Sequence, residues 1–261
     1  MENHNFKKKF GQNFLQDKNI IKKIVDTAPI TEKDLVIEIG PGSGALTEFL
    51  TAKAKTISYE IDLDLKEILD SKFGNNDNSI IIFDDFLKRN IKEDISKINY
   101  NKLYVVANLP YYITTPIIDK IIKEKLDIDM MVLMVQKEVG ERFTSKEGTK
   151  DYSSITVYLN YYFDLKKEFV ISRNVFYPKP NVDSMIISLS KKKDKIKVNN
   201  EELFLKLIRD SFQFKRKTLK NNLKNYDWNK IKEYLDNNEI NETVRAEELS
   251  LNNYIEISNN L

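Results

Sequence analysis

The sequence of 261 residues has no cysteine and a single histidine, His4. The lack of cysteine excludes disulfides, thiolate metal ligands and cysteine nucleophiles together. His4 lies in a polar N-terminal segment, where we expect no catalytic role. The chemistry of this chain must therefore proceed without thiol or imidazole. Most hydrolase and zinc-enzyme mechanisms are disfavoured, and we expect no metal site.

Long apolar runs are also missing from the sequence. A membrane-spanning helix needs roughly 18 unbroken apolar residues, so none is expected. The N-terminus carries Lys7, Lys8 and Lys9, and no apolar run of signal-peptide length follows them. We therefore expect a cytoplasmic protein that is not exported and does not enter a membrane.

The net charge of +2 conceals an uneven distribution. Residues 191–224 carry twelve Lys or Arg against four Asp or Glu, a net of +8, whereas residues 225–261 have a net of −5. The first 23 residues have a net of +4. A local field matters more than the total charge when the partner is a polyanion. The two basic segments predict nucleic-acid binding; a lysine-rich solvated surface is the alternative.

Five short apolar runs with the composition of buried strands alternate with segments of helical periodicity. The predicted strands are 35–39, 56–60, 79–83, 103–107 and 130–135. The predicted helices between them are 45–53, 62–71 and 115–125. This alternation predicts a mostly parallel sheet with right-handed crossovers.

The second half of the chain has a different pattern. Residues 163–171 and 183–190 both read as extended, which predicts an antiparallel pair closing one edge of the sheet. Apolar residues recur at helical spacing towards the C-terminus. We predict an α/β fold with a Rossmann-like catalytic domain over 1–190 and a small all-helical RNA-binding domain over 191–261.

A glycine-rich turn joins the first predicted strand to the following helix. It contains Glu38, Gly40, Gly42 and Gly44. Glycines let the backbone approach a ligand closely, and a helix N-terminus offers free N–H groups. The spacing differs from the G-x-G-x-x-G of dinucleotide binders and resembles the first motif of class I methyltransferases, which bind S-adenosylmethionine. A glycine-bearing turn without a ligand is the alternative.

Acidic residues follow the second and third predicted strands. Glu60 lies at the end of the second strand, where a carboxylate can accept hydrogen bonds from both ribose hydroxyls of a cofactor. Asp62 competes for that role, but we expect it to cap the following helix. Asp85 follows the third strand and can accept from the adenine amine of the cofactor, with its neighbour Asp84 as the alternative.

The sequence Asn108-Leu109-Pro110-Tyr111 directly follows the fourth predicted strand. The exocyclic amine of adenine is a poor nucleophile because its lone pair is delocalised into the ring. The Asn108 carbonyl and a neighbouring backbone carbonyl can accept its two hydrogens and direct the lone pair at a methyl donor. Pro110 stiffens the turn, and Tyr111 can stack on the base. These residues predict methyl transfer by positioning and electrostatics; a simple turn is the alternative.

Five further segments of the sequence carry a family resemblance. They are Phe10-Gly11-Gln12-Asn13-Phe14-Leu15, Lys150-Asp151-Tyr152, Phe176-Tyr177-Pro178-Lys179-Pro180-Asn181-Val182-Asp183-Ser184, Lys215-Arg216-Lys217-Thr218-Leu219 and Arg245-Ala246-Glu247-Glu248-Leu249-Ser250. Over nearly its whole length, the chain resembles the bacterial small-subunit (16S) rRNA adenine dimethyltransferases of the kasugamycin-sensitivity type. The resemblance implies that Asn13 and Leu15 contact the cofactor. It also implies that Phe176 closes the other face of the target adenine, with packing under a proline turn as the alternative.

The resemblance implies S-adenosylmethionine-dependent dimethylation of two adjacent adenosines in the 3′-terminal hairpin loop of small-subunit rRNA. Loop bases are already splayed and cost little to extrude. The implied partner is the immature 30S subunit, bound by a monomer. Besides the N-terminal lysines, Lys215, Arg216 and Lys217 are the implied RNA contacts. The family more often has Arg at the position of Lys215, an exchange that a phosphate contact tolerates and a bidentate contact does not.

Two other functions remain open at this point. One is methylation of large-subunit rRNA to confer antibiotic resistance, although those enzymes usually have Ile where this chain has Leu109. The other is a non-enzymatic assembly or transcription factor on the same fold. Intact Asn108 and Tyr111 disfavour that second function as the sole role.

Overall fold

The computed structural model describes residues 14–15, 17–109, 113–194 and 196–261. In chain order its strands are β1 (Phe14–Leu15), β2 (Leu35–Ile39), β3 (Lys55–Tyr59), β4 (Ser79–Ile82), β5 (Leu103–Asn108), β6 (Met130–Gln136), β7 (Phe163–Ile171), β8 (Phe176–Tyr177) and β9 (Ser184–Lys191). Its helices are α1 (Lys18–Thr27), α2 (Ala45–Thr51), α3 (Lys66–Phe73), α4 (Ile91–Ile95), α5 (Thr114–Lys123), α6 (Lys137–Phe143), α7 (Ser154–Tyr162), α8 (Glu201–Ser211), α9 (Leu219–Asn222), α10 (Trp228–Asn237) and α11 (Leu251–Asn260).

The described residues form a seven-stranded sheet in the order β4-β3-β2-β5-β6-β9-β7. The five strands from β4 to β6 are parallel, whereas β9 runs antiparallel to β6, and β7 lies beyond β9 at the edge. The predicted mostly parallel sheet with an antiparallel edge is confirmed. In this register Ile39 lies opposite both Tyr59 and Ala107, so the carboxyl ends of β2, β3 and β5 meet at one edge of the sheet.

Burial explains why the central strands form. Every residue of β2 is buried, as expected of a parallel strand covered on both faces. Asp17 begins α1 by accepting from the main-chain N–H groups of Asn19 and Ile20. The buried face of α1, including Val25, packs in one apolar cluster with Leu50 of α2 and Val106 of β5. No helix in the described ranges is long and apolar enough to cross a bilayer.

The chain divides into two compact units that differ from the predicted domain limits. The first unit holds the described residues up to Gly140 together with Lys166–Lys191, and the second holds Glu141–Leu165 together with the described residues from Lys192 onwards. Residues 141–165 were predicted to belong to the first domain. They belong to the second unit because Val157 and Tyr161 of α7 are part of its apolar core.

Candidate active site

Main-chain hydrogen bonds align the ends of three neighbouring strands. The Gly40 N–H donates to the Tyr59 carbonyl at 2.9 Å, and the Glu60 N–H donates to the Ile82 carbonyl at 3.0 Å. The glycine turn, Glu60 and the residues that follow β4 are therefore level with one another. Ligands of open α/β sheets bind at this edge, beyond the carboxyl ends of the strands.

The glycines of the turn have left-handed backbone conformations, with φ of 71° at Gly40, 59° at Gly42 and 86° at Gly44. A Cβ atom added to Gly40 would stand 4.0 Å from the main-chain oxygen of Asn108. Gly40 thus keeps the space between the turn and Asn108 clear of a side chain. A Cβ atom on Gly44 would lie 2.4 Å from the Phe73 ring, so Gly44 allows α2 to pack closely on α3.

The amides of these glycines are already engaged by the protein. Besides the Gly40 bond, the Gly42 N–H donates to Glu60 Oε2 at 3.0 Å, and the Gly44 N–H donates to the Pro41 carbonyl at 2.9 Å. The free N–H groups expected at the helix N-terminus are therefore not those of the three glycines. These glycines act through their conformation and their lack of a side chain.

Glu60 is held against the turn by both of its carboxylate oxygens. Oε2 accepts from Gly42, and Oε1 accepts from the Asp62 N–H at 2.8 Å. The side chain is nearly buried, and burial raises the pKa of Glu60. The Ile61 N–H also donates to this carboxylate, so Glu60 accepts from three main-chain groups, and its role at the ribose hydroxyls stays a prediction.

Asp62 has the capping role that its position predicts. Its carboxylate accepts from the Asp64 N–H at 3.3 Å. It begins a 3₁₀ turn over Leu63–Leu65, which leads into α3. The predicted cap is confirmed, although the helix itself begins at Lys66 rather than at Asp62.

Glu38 is completely buried beneath the glycine turn. Its Oε2 accepts from the Thr47 hydroxyl at 2.8 Å and from the Ser58 hydroxyl at 2.7 Å. Its Oε1 has no hydrogen-bond partner in the described part of the chain. Burial raises the pKa of Glu38 to about 7, and the two hydroxyl bonds oppose that shift. Glu38 therefore joins β2 to α2 and β3 from below the turn.

The hydrogen-bond partners of Glu38 were not predicted from the sequence, although the sequence contains a signal for one of them. Ser58 is a polar residue within a buried strand, and it lies opposite Glu38 in the parallel register of β2 and β3. A second missed contact joins α3 to the turn, where Lys72 Nζ donates to the Ser43 carbonyl at 2.7 Å. No periodic pattern in the sequence points to it.

The two candidate acids after β4 have different surroundings. Asp85 Oδ1 accepts from the Leu87 N–H at 3.0 Å, and 24% of the Asp85 side chain is exposed. Asp84 Oδ1 accepts from the Asp85 N–H at 2.7 Å, and 45% of its side chain is exposed. Asp84 also lies 3.6 Å from the Arg89 guanidinium. The more enclosed position of Asp85 favours it as the adenine contact, and this assignment stays a prediction.

An ionic network behind these acids was not predicted from the sequence. Arg89 makes two hydrogen bonds to the Asp94 carboxylate, and the Tyr59 hydroxyl donates to Asp94 at 3.0 Å. Lys120 Nζ donates to the Arg89 carbonyl at 2.8 Å. Burial and the neighbouring Asp94 raise the pKa of Tyr59, which keeps its hydroxyl protonated as a donor. The network connects β3, α4 and α5 around the loop that carries Asp84 and Asp85.

Asn108 ends β5, where it lies opposite Met134 of β6 and is partly buried. Leu109 is buried, with 2% of its area exposed. The remaining motif residues, Pro110 and Tyr111, lie outside the described residues. Asn13 and the lysines Lys7, Lys8 and Lys9 do so as well.

Leu15 and Phe176 are brought together by a short antiparallel ribbon. β1 pairs with β8 so that Leu15 lies opposite Phe176. Both side chains are buried and belong to the apolar cluster of the first unit. The residues that follow β8 lead into β9, whose first residue, Ser184, pairs with Gln136 at the carboxyl end of β6. The roles of Leu15 at the cofactor and Phe176 at the target base stay predictions.

The predicted RNA contacts of the second unit lie in the turn between α8 and α9. Lys215 Nζ donates to the Lys150 carbonyl at 2.6 Å. Arg216 is exposed, and Lys217 Nζ lies 4.5 Å from the centre of the Phe214 ring. All three cations are accessible to a polyanion, and their contact with RNA stays a prediction.

Comparisons with known proteins agree with this geometry. A family model described as ribosomal RNA adenine dimethylase matches residues 3–261. The ribosomal RNA small subunit methyltransferase A of Streptococcus thermophilus is 41% identical and covers 100% of this chain and 94% of its own length. The protein of the same name from Bacillus cytotoxicus is 45% identical and covers 98% of this chain and 91% of its own length.

Two solved structures share the fold. A dimethyladenosine transferase from Plasmodium falciparum is 26% identical with a TM-score of 0.77, and the alignment covers 94% of this chain and 95% of that one. The 23S rRNA methyltransferase ErmE is 24% identical with a TM-score of 0.74, and the alignment covers 95% of this chain and 99% of that one. At that identity, the second likeness bears on the fold alone.

Proposed function

The chain belongs to the ribosomal RNA adenine dimethylase family, and on that premise we propose that it dimethylates two adjacent adenosines in the 3′-terminal hairpin loop of small-subunit rRNA. As a member of the family it is an rRNA adenine dimethyltransferase that uses S-adenosylmethionine. The relatives named as small-subunit methyltransferases, at 41% and 45% identity, support the choice of subunit. The observation that carries the proposal is that Asn108 faces the glycine turn: a Cβ atom added to Gly40 would stand 4.0 Å from the Asn108 main-chain oxygen.

The residues at the sheet edge fit S-adenosylmethionine. Gly40 has no side chain beside the Asn108 carbonyl, and Glu60 lies at the same edge of the sheet, where its carboxylate is proposed to accept from the two ribose hydroxyls. Asp85 is the proposed partner of the adenine amine. Leu15 completes the described set, to which the proposal adds Asn13. Gly42 and Gly44 shape the turn, and Glu38 holds it from below. When bound, the cofactor supplies an electrophilic methyl group.

The proposed roles at the target adenine belong to Asn108 and its neighbours. The Asn108 side-chain carbonyl and an adjacent main-chain carbonyl accept the two hydrogens of the 6-amino group. This draws the nitrogen towards tetrahedral geometry and exposes its lone pair. Tyr111 and Phe176 are proposed to enclose the base, with Leu109 and Pro110 setting the turn. No strong base is needed, because the alkylated amine is cationic and loses its proton readily. The chain contributes position and electrostatics.

The proposal extends to the partner and its compartment. We assign cofactor binding and catalysis to the first unit, and RNA binding to the C-terminal helices with Lys215, Arg216 and Lys217. The substrate is the immature small subunit, engaged by a monomer in the cytoplasm, where that subunit is assembled. The net charge of +8 over residues 191–224 supports the RNA-binding assignment.

A methyl-transfer assay tests the proposal. Purified chain and radiolabelled S-adenosylmethionine are incubated in parallel with immature small subunits and with naked large-subunit rRNA. We expect dimethyladenosine in the small-subunit RNA alone. Asn108→Ala should lose the product while its circular-dichroism spectrum and melting temperature stay those of the native chain. Label in large-subunit RNA would identify a resistance methylase, and an absence of label from both RNAs would identify a non-enzymatic role. Either result would overturn the proposal.

A further inference from the structure

Phe214 presents an aromatic ring to solvent in the turn between α8 and α9. Of its surface, 49% is exposed. It is followed by three exposed cations, Lys215, Arg216 and Lys217. Residues 211–226 contain no Asp or Glu. Packing of the apolar core does not require an exposed aromatic ring among cations. A polyanion that carries planar groups is complementary to both the ring and the cations.

The main chain around Phe214 is held in place. The Phe214 N–H donates to Asn222 Oδ1 at 3.1 Å, and Asn222 Nδ2 donates to the Phe214 carbonyl at 3.3 Å. The Lys217 N–H donates to the same carbonyl at 3.0 Å. The ring is thus carried by an ordered turn, and little backbone entropy is lost when a ligand contacts it.

The face of the ring already serves as an electron-rich surface. Lys217 Nζ lies over it at 4.5 Å from the ring centre. The ammonium group of Lys215 donates to the Lys150 carbonyl at 2.6 Å. Lys217 lies over the ring, and Arg216, its neighbour in the sequence, is exposed, so both cations are accessible to phosphate groups.

We propose that Phe214 stacks on an unpaired base of the RNA substrate while Arg216 and Lys217 bind the flanking phosphates. This inference rests on the proposed function, since it takes RNA as the substrate. It adds a contact that distinguishes single-stranded from double-stranded RNA, because only an unpaired base offers a free face to the ring. The basic turn thereby selects a loop or a junction over a continuous RNA helix.

Binding of the full chain to a short unpaired RNA oligonucleotide tests this inference. Phe214→Ala should weaken binding by between about 5-fold and about 150-fold, the range expected for loss of one stacked base. Phe214→Tyr should bind as the native chain does, whereas Phe214→Leu should lose affinity because it has no ring. The dependence of affinity on salt should be unchanged in Phe214→Ala. In Lys217→Ala its slope should fall by about 0.7, the value for one lost phosphate contact.

Two controls separate stacking from a general effect of the surface. An oligonucleotide with abasic sites keeps its phosphates, so the native chain and Phe214→Ala should bind it equally. Ile196→Ala removes a side chain of the same unit that is also 49% exposed, and it should leave binding unchanged. Equal affinity of Phe214→Ala and the native chain for the intact oligonucleotide would overturn the inference, as would full affinity of Phe214→Leu.

The outcome can be told apart from a failure of the proposed function. If the native chain methylates small subunits and Phe214→Ala binds RNA normally, the stacking inference alone is wrong. If the native chain fails to methylate small subunits, the proposed function is wrong, whatever the oligonucleotide binding shows.

Discussion

At the scale of single residues, Glu38 places a carboxyl group where water does not reach it. Two hydroxyl groups donate to one of its oxygens, and the other oxygen has no partner within the described residues. Burial raises the pKa of Glu38 from 4.5 to about 7. An unfolded chain releases this proton at lower pH than the folded chain does. The contribution of Glu38 to stability is therefore fully present below about pH 4.5 and is lost as the pH rises through about 7.

The Glu38→Gln variant tests this linkage because its side chain stays neutral. Relative to the variant, the native chain should lose about 3 kcal/mol of unfolding free energy between about pH 4 and about pH 8, at about 1.4 kcal/mol per unit of pKa shift. Urea unfolding across this range measures the difference. Glu48→Gln, on the exposed side of α2, provides the baseline. A difference between the native chain and Glu38→Gln that stays constant with pH would contradict the account of Glu38.

Gly40 carries the second residue-scale prediction. Alanine there must adopt a φ of 71°, at a cost of roughly 1–2 kcal/mol, and its Cβ would enter the space facing Asn108. Gly40→Ala should therefore weaken S-adenosylmethionine binding by roughly tenfold or more, as measured by calorimetric titration.

Gly148 supplies a matched control for this change. It has a φ of 78°, and a Cβ added there would meet no described atom within 4 Å. Gly148→Ala should carry a similar backbone cost without any change in cofactor affinity. If both variants bound S-adenosylmethionine like the native chain, Gly40 would not border the cofactor.

At the scale of elements, the network around Asp94 connects three parts of the first unit. Tyr59 lies at the end of β3, Asp94 lies in α4, and Lys120 of α5 reaches the carbonyl of Arg89. The loop between β4 and α4, which carries Asp84 and Asp85, is bordered by these residues. We therefore expect its carboxylates to depend on the network for their position.

The Tyr59→Phe variant removes one hydroxyl from this network and leaves the ring that packs edge-on against Phe86. The lost bond to a charged acceptor should lower the unfolding free energy by about 2 kcal/mol. Because the acid loop loses a support, binding of S-adenosylmethionine should weaken severalfold. Urea unfolding and calorimetric titration measure the two effects.

Tyr104→Phe is the comparison for that variant. Tyr104 is a buried tyrosine of β5, and its hydroxyl donates to the uncharged Pro29 carbonyl at 3.4 Å. Loss of this hydrogen bond should lower the unfolding free energy by less than about 1 kcal/mol and leave cofactor binding intact. Equal effects of the two variants would mean that the network has no particular role in holding the loop that carries Asp84 and Asp85.

The elements also show how far the sequence predicts this fold. Apolar runs located all five parallel strands to within two residues: β2, β3, β5 and β6 are buried along most of their length, and β4 is partly buried throughout. The helices α1, α4, α6 and α7 were not predicted. The buried face of α7 is identified only by its packing inside the helical unit. The hydrogen bond between Ser58 and Glu38 depends on the pairing of β2 with β3.

At the scale of the whole molecule, the chain has two compact units whose limits do not follow the order of the sequence. Residues 141–165 follow β6 in the sequence and include the first three residues of β7, and nevertheless they belong to the second unit. A change in composition along the chain marks a boundary near residue 191. The composition does not indicate that residues 141–165 belong to the second unit. The site motifs were predictable because short-range spacing encodes them. The Asp94 network was not, since its members are separated along the sequence.

The central claim is that this chain dimethylates two adjacent adenosines of small-subunit rRNA through Asn108. The most direct test maps methylated positions on rRNA from a strain that lacks the gene for this protein and is complemented with either the native chain or Asn108→Ala. We predict dimethyladenosine at both adjacent positions of the 3′-terminal hairpin loop with the native chain, and unmodified adenosine at both with the variant. Modification restored equally by Asn108→Ala, or found only in large-subunit rRNA, would contradict the account.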